Sequence, residues 1–167
     1  MDTALDADPA AFSDYERQLV DAVREHGWFC PSVFADEDGP AFAYSVGFWK
    51  SLGKPEVIVF GLPTKVGHAV LWQVYRRFEA GLGPRVGEPI DGLLQGYPAY
   101  LMPADEKADD FLLSANWFYG GTDYPRLQLV WPDSNGLFPW QVGAEPKFVA
   151  DQPDLSDATW PVLTRLS

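Results

Sequence analysis

Apolar positions recur along this chain with two periods, and the places where the period changes mark out its elements. Tyr15, Leu19 and Val23 fall at i, i+4 and i+8, one face of a helix. Ser13-Asp14-Tyr15-Glu16 reads as a capping box ahead of them, and Gly27 stands where a helix ends, so a first helix is predicted over 14–26. Phe42, Tyr44 and Val46 then alternate with small residues. Strands over 28–34 and 42–48, joined at Asp36-Glu37-Asp38-Gly39, predict a hairpin. Glu56-Val57-Ile58-Val59-Phe60 is a strand whose unbroken apolar run asks for cover on both faces. Val66, Val70, Val74 and Phe78 form the stripe of a second helix, capped by Thr64 and running to Ala80, with His68, Leu71, Trp72 and Tyr75 elsewhere on its cylinder. A strand over 97–102 is held to an edge or a strand start by Pro98. Residues 105–118 predict a third helix with acids in its first turn. Strands over 127–131 and 138–142 flank an Asp133-Ser134-Asn135-Gly136 turn.

The elements do not alternate regularly, which argues against a doubly wound sheet. The expectation is an α+β fold: a mostly antiparallel, strongly curved sheet of about six or seven strands with about three helices packed on it. Residues 1–12 are expected to be a flexible acidic leader and residues 13–167 a single domain, whose tail after Gly143 wraps the surface.

Composition narrows the function classes. The 167 residues are 47% hydrophobic and 15% aromatic, too apolar for disorder. Twelve basic against 24 acidic residues leave a net charge of −12, and Arg76-Arg77 is the one adjacent basic pair. Nucleic acid and anionic membrane surfaces are thereby excluded as expected partners, because both need clustered cations. A small molecule, a peptide or a basic protein remains. The single cysteine, Cys30, rules out an internal disulfide and suits a reducing compartment. Asp2, Asp6, Asp8 and Asp14 precede the first base, Arg17, the reverse of a signal peptide. A cytoplasmic location is expected.

Several motifs arrive together and in order: Gly27-Trp28, then Phe42-Ala43-Tyr44-Ser45-Val46-Gly47-Phe48, Gly53-Lys54-Pro55-Glu56-Val57 and Gly61-Leu62. Gln128-Leu129-Val130-Trp131-Pro132-Asp133, Gly136-Leu137-Phe138-Pro139-Trp140 and Gln152-Pro153 follow. This series resembles the bacterial domain-of-unknown-function family 4262 across residues 15–155. The resemblance implies one bacterial domain and carries over no activity, cofactor or catalytic residue.

Candidate chemistry is sparse. Asp133 either closes an Asx turn or stands as a poorly solvated acid beside Trp131 and Trp140, where its pKa would rise. Glu56 is either the solvated head of its strand or faces a cleft on which Tyr44 and Ser45 converge; Ser45 lacks the Gly-x-Ser-x-Gly setting of a hydrolase nucleophile. His26 suits the C-terminus of a helix. His68 is a neutral core imidazole or a pocket residue. Cys30 reads as core packing. No zinc ligand set, phosphate loop or cofactor motif is present. Trp117, Tyr119 and Tyr124 surround Gly120-Gly121; with Trp131, Trp140 and Ser45 they line an aromatic site, or else they fill the core. The reading that follows is a small-molecule or peptide binding module. The alternatives are an enzyme using Asp133, Glu56, His68 or Tyr44 for proton transfer, and an acidic protein that binds a basic partner.

Overall fold

The computed structural model describes residues 2–157 and 160. Helix α1, Asp14–His26, has both halves of its capping box: Glu16 N–H donates to Ser13 Oγ and Ser13 N–H to Glu16 Oε1. It ends at Gly27, whose φ of +90° is the left-handed conformation that glycine adopts without strain. Leu19, Val20 and Val23 are buried, while Tyr15 sits at the margin and hydrogen-bonds Ser114.

The sheet has six strands in the order β1-β2-β3-β6-β5-β4: β1 Ser32–Val33, β2 Phe42–Tyr44, β3 Glu56–Phe60, β4 Pro89–Ile90, β5 Ala99–Pro103 and β6 Arg126–Val130. Neighbours run antiparallel except β3 and β6, which are parallel at the centre. The fold is α+β, and the sheet stays open with β1 and β4 at its edges instead of curling strongly.

Parity along β3 builds two cores. Ile58 and Phe60 face α1, a short helix α4 (Leu113–Tyr119) and Tyr44. Val57 and Val59 face α3 (Thr64–Glu79), with Leu71, Val74 and Phe78 against Leu101 and Leu129. All five β3 residues are buried, as the unbroken apolar run requires. On α3, Val70, Val74 and Phe78 point inward, but Val66 is exposed and Leu71 and Tyr75 widen the buried face. Pro63 occupies the N-cap and Thr64 opens the helix without a side-chain cap.

Several expected elements differ. The predicted strand over 42–48 stops at Tyr44, and Phe48–Leu52 form a helical turn, α2. The third helix splits into a 3-10 segment, Glu106–Asp110, and α4. The Asp109 carbonyl accepts from the Asn116 side chain, and Asp109 pairs with Arg126, so the helical ladder does not run through. Residues 138–142 form no strand. Pro139 cannot donate to a ladder, and Phe138 N–H is taken by Gln141 Oε1 at 2.8 Å. The tail carries a further helix, α5 (Pro146–Asp151). It is fixed by Gln152, which accepts from Trp131 N–H and donates to the Trp131 carbonyl, and by Gln128, which donates to the Pro153 carbonyl. At the other end, two 3-10 turns put Thr3 and Ala4 among buried residues, and Arg24 donates to the Leu5 carbonyl.

Candidate functional site

Glu56 is completely buried, and its carboxylate accepts five hydrogen bonds. Ser45 Oγ donates at 2.7 Å and Phe48 N–H at 3.1 Å to one oxygen. Gly47 N–H at 3.0 Å, Trp49 N–H at 3.2 Å and the Tyr119 hydroxyl donate to the other. The hydroxyl directions are fixed from behind. Val57 N–H donates to Ser45 Oγ and Lys50 N–H to the Tyr119 oxygen, so each hydroxyl has its proton to give. Burial raises the carboxyl's pKa and the donors pull it back. Every hydrogen-bond partner of the carboxylate is a donor, so the ionised form is the one the pocket accommodates.

This arrangement explains α2. Phe48-Trp49-Lys50-Ser51-Leu52 is too short to hold a helical turn by propensity. A carboxylate from β3 satisfies its first N–H groups instead, much as a cap would. Gly47 has φ +119°, and a Cβ there would lie 2.6 Å from the Gly27 carbonyl oxygen and 3.0 Å from Trp28 Cα. Ser51 Oγ donates to that same carbonyl at 2.7 Å. Glu56 therefore clamps residues 47–51 onto the backbone that carries Trp28.

Trp28 forms one wall of an aromatic hollow. It is near-parallel to three rings: His68 at 5.5 Å and 14°, Tyr75 at 5.9 Å and 19°, Trp72 at 6.1 Å and 21°. The Arg76 guanidinium lies over Trp72, 5.1 Å from the ring centre. The hollow, about 350 Å³, lies between the end of α1 and the outer face of α3, lined also by His26, Phe29 and Cys30. Burial pushes the Cys30 thiol up to about 11, so it is a protonated, weakly polar wall.

The other sequence candidates lie apart from it. Ser45 and Tyr119 meet on Glu56, but Tyr44 accepts from Ser114 N–H and has no bond to Glu56. Asp133 is buried in its own turn, where Oδ1 accepts from Asn135 and Leu137 N–H, and Gly136 N–H closes on its carbonyl. Glu56 is level with Arg126 at one end of the parallel pair, while Asp133 follows the far end of β6. The β6 strand between those levels spans about 13 Å from Arg126 to Val130, and Asp133 lies three residues beyond it, so the two acids serve no joint site. Trp131 donates to the Phe60 carbonyl at 2.7 Å and packs on Phe148. Trp140 stacks on Phe138 and meets Tyr100 edge-on. Trp117 packs on Phe12, and Tyr124 tilts against Tyr119 with its hydroxyl on Asn116. The six residues expected to line one site are thus spread over separate clusters. The hollow is built instead by Trp28, Trp72 and His68, which the sequence puts in regular elements. A histidine one turn before a tryptophan on α3 was the available signal.

An open mixed sheet with α3 on one face and α1 and α4 on the other defines the class, a six-stranded α+β domain. The chain belongs to the family described as domain of unknown function DUF4262, whose model matches residues 22–145. That span takes in both the Glu56 constellation and the residues lining the ring hollow. No curated protein and no solved structure matches the chain. Among the described residues no helix is long and apolar enough to cross a membrane.

Proposed function

We propose that this chain is a cytoplasmic binding module that takes a planar aromatic small molecule into the hollow beside Trp28, Trp72 and His68. The observation that carries the reading is a stack of near-parallel rings on Trp28, of which Trp28, Trp72 and His68 border an opening of about 350 Å³. That volume is within the usual span of small-molecule sites, and an aromatic wall with a few polar groups is their usual lining. His26 and His68 supply the polar groups. A flat ligand continues a stack that already exists, gaining dispersion and offset-stacking contacts with little reorganisation. The Glu56 clamp fixes the backbone behind Trp28, so the wall is set before a ligand arrives.

Proton-transfer chemistry has less behind it. The Glu56 oxygens are occupied by five donors, Asp133 is engaged by its own loop, and Tyr44 is bonded to Ser114. His68 stacks on Trp28, and among the described residues no carboxylate forms an ion pair with it. The test is a titration with indole, quinoline and adenine as planar probes, followed by intrinsic tryptophan fluorescence. At least one probe is expected to quench saturably, and Trp72→Ala to abolish that quenching with an unchanged melting curve. Equal affinity in the variant, or no saturable quenching by any of the probes, contradicts the proposal.

A further inference from the structure

A second surface lies on another part of the molecule, where β1 runs out at the edge of the sheet. Val33 is 41% exposed and Phe34 77% exposed. Phe34 borders a hollow of about 370 Å³ that also contains Phe42, Phe60 and Phe111. The last three pack on one another, Phe60 and Phe111 edge-on at 5.1 Å and Phe42 and Phe111 at 5.4 Å. An adjoining hollow of about 560 Å³ shares Asp36, Asp38, Gly39, Pro40 and Ala150 with the first, and the two are taken together as one grooved surface. Its rim carries Asp36, Glu37, Asp38, Asp110 and Asp151, and Lys147 is the one cation lining it. Among the described residues none of these five acids forms an ion pair. Asp36 holds its own turn, its Oδ1 accepting from Asp38 and Gly39 N–H, so the rim is shaped before any partner arrives.

The rim and the aromatic lining select one occupant. Like charge repels a second copy of this chain, which carries −12, and an anionic lipid or nucleic-acid surface for the same reason. A free inorganic cation would leave the Phe34 ring in water. We infer that the groove docks a basic segment of a partner protein that sets an aliphatic or aromatic side chain against Phe34, with flanking Lys or Arg side chains against the acidic rim. Its charges steer the encounter, and the apolar anchor holds the complex.

The probe is a fluorescein-labelled peptide, Arg-Lys-Leu-Phe-Lys-Arg, measured by anisotropy against the full chain. A second peptide with Gly-Gly in place of Leu-Phe isolates charge from anchoring. The first is expected to bind about tenfold tighter than the second, with affinity falling as salt rises. Phe34→Ser is expected to weaken it about tenfold without a change in melting temperature. The combined Asp36→Asn, Asp38→Asn and Asp151→Asn substitutions flatten the salt dependence, and Trp72→Ala leaves binding unchanged. Absence of binding, equal affinity of the two peptides, a salt dependence untouched by the Asn variants, or loss in Trp72→Ala but not in Phe34→Ser each overturns the inference. The Trp72 arm separates this surface from the ring hollow, so either proposal can fail alone.

Discussion

Replacing Glu56 with glutamine changes almost nothing in volume and removes the charge on which five donors converge. A glutamine offers one acceptor oxygen and turns an NH₂ toward the donors on its other side. Turned toward Gly47 and Trp49, the NH₂ leaves both N–H groups without a partner, and turned the other way it leaves Phe48 N–H without one, so at least one backbone donor is orphaned in either orientation. Each buried donor left unpaired costs about 1–3 kcal/mol and the remaining bonds lose their charge assistance, so the variant is expected to lose about 3 kcal/mol. For a domain of this size that is a fall of about 6–12 °C in melting temperature. Urea unfolding followed by tryptophan fluorescence gives the free energy, and calorimetry gives the melting temperature. Tyr119→Phe provides the scale, because it removes one donor and leaves Lys50 N–H near the surface, where water can replace the lost hydroxyl. Its cost is expected to be about 1–2 kcal/mol. A Glu56→Gln loss below about 1 kcal/mol, or one no larger than that of Tyr119→Phe, would refute the claim that the carboxylate organises α2.

Three further outcomes follow. Gly47→Ala pushes a Cβ to 2.6 Å from the Gly27 carbonyl oxygen at a φ of +119°, and is expected to cost more than about 2 kcal/mol, whereas Gly120→Ala, with open space around it, costs less; equal losses by urea unfolding would contradict the close approach. The Cys30 thiol, held at about 11 against an ordinary 9.0, has about 100-fold less thiolate at pH 8 than in the unfolded chain, and iodoacetamide should label the native protein more slowly by that factor. Tyr44, Tyr119 and Tyr124 are raised in the same direction by burial. Above pH 9 the unfolded chain therefore gives up protons that the folded chain still holds, and stability should fall as pH climbs from about 9 to 11; a flat or rising profile would contradict those burials.

What could be read from the sequence was what is decided locally. The α1 helix was legible because its cap, stripe and terminal glycine all lie within 15 residues, 13–27. The β3 strand was legible because five buried residues in a row leave no other reading. The return strand expected over 138–142 does not form: Val142 is 99% exposed, and Phe138 and Trp140 stack at 5.1 Å and 8° in a loop that a Gln141 side chain curls. Helix α2 had no local signal, since its N–H groups are satisfied from Glu56, beyond its own C-terminus. Ser45 and Glu56 sit close enough in sequence for their pairing to be anticipated. Tyr119 is 63 residues from Glu56, and only the parallel β3–β6 crossing brings its helix alongside. The ring hollow was missed for a related reason. Trp28 and Trp72 each look like core in their own element and His68 reads as either core or pocket, and their shared opening exists only once α3 lies beside the end of α1.

The most direct test of the account reads the seven tryptophans separately. In a ¹⁵N-labelled sample titrated with the same planar probes, the indole N–H signals of Trp28 and Trp72 should move together and saturate, while those of Trp131 and Trp140 stay in place. Movement centred on Trp131 and Trp140, or no movement at Trp28 and Trp72 with any probe, would contradict a binding hollow at the end of α1.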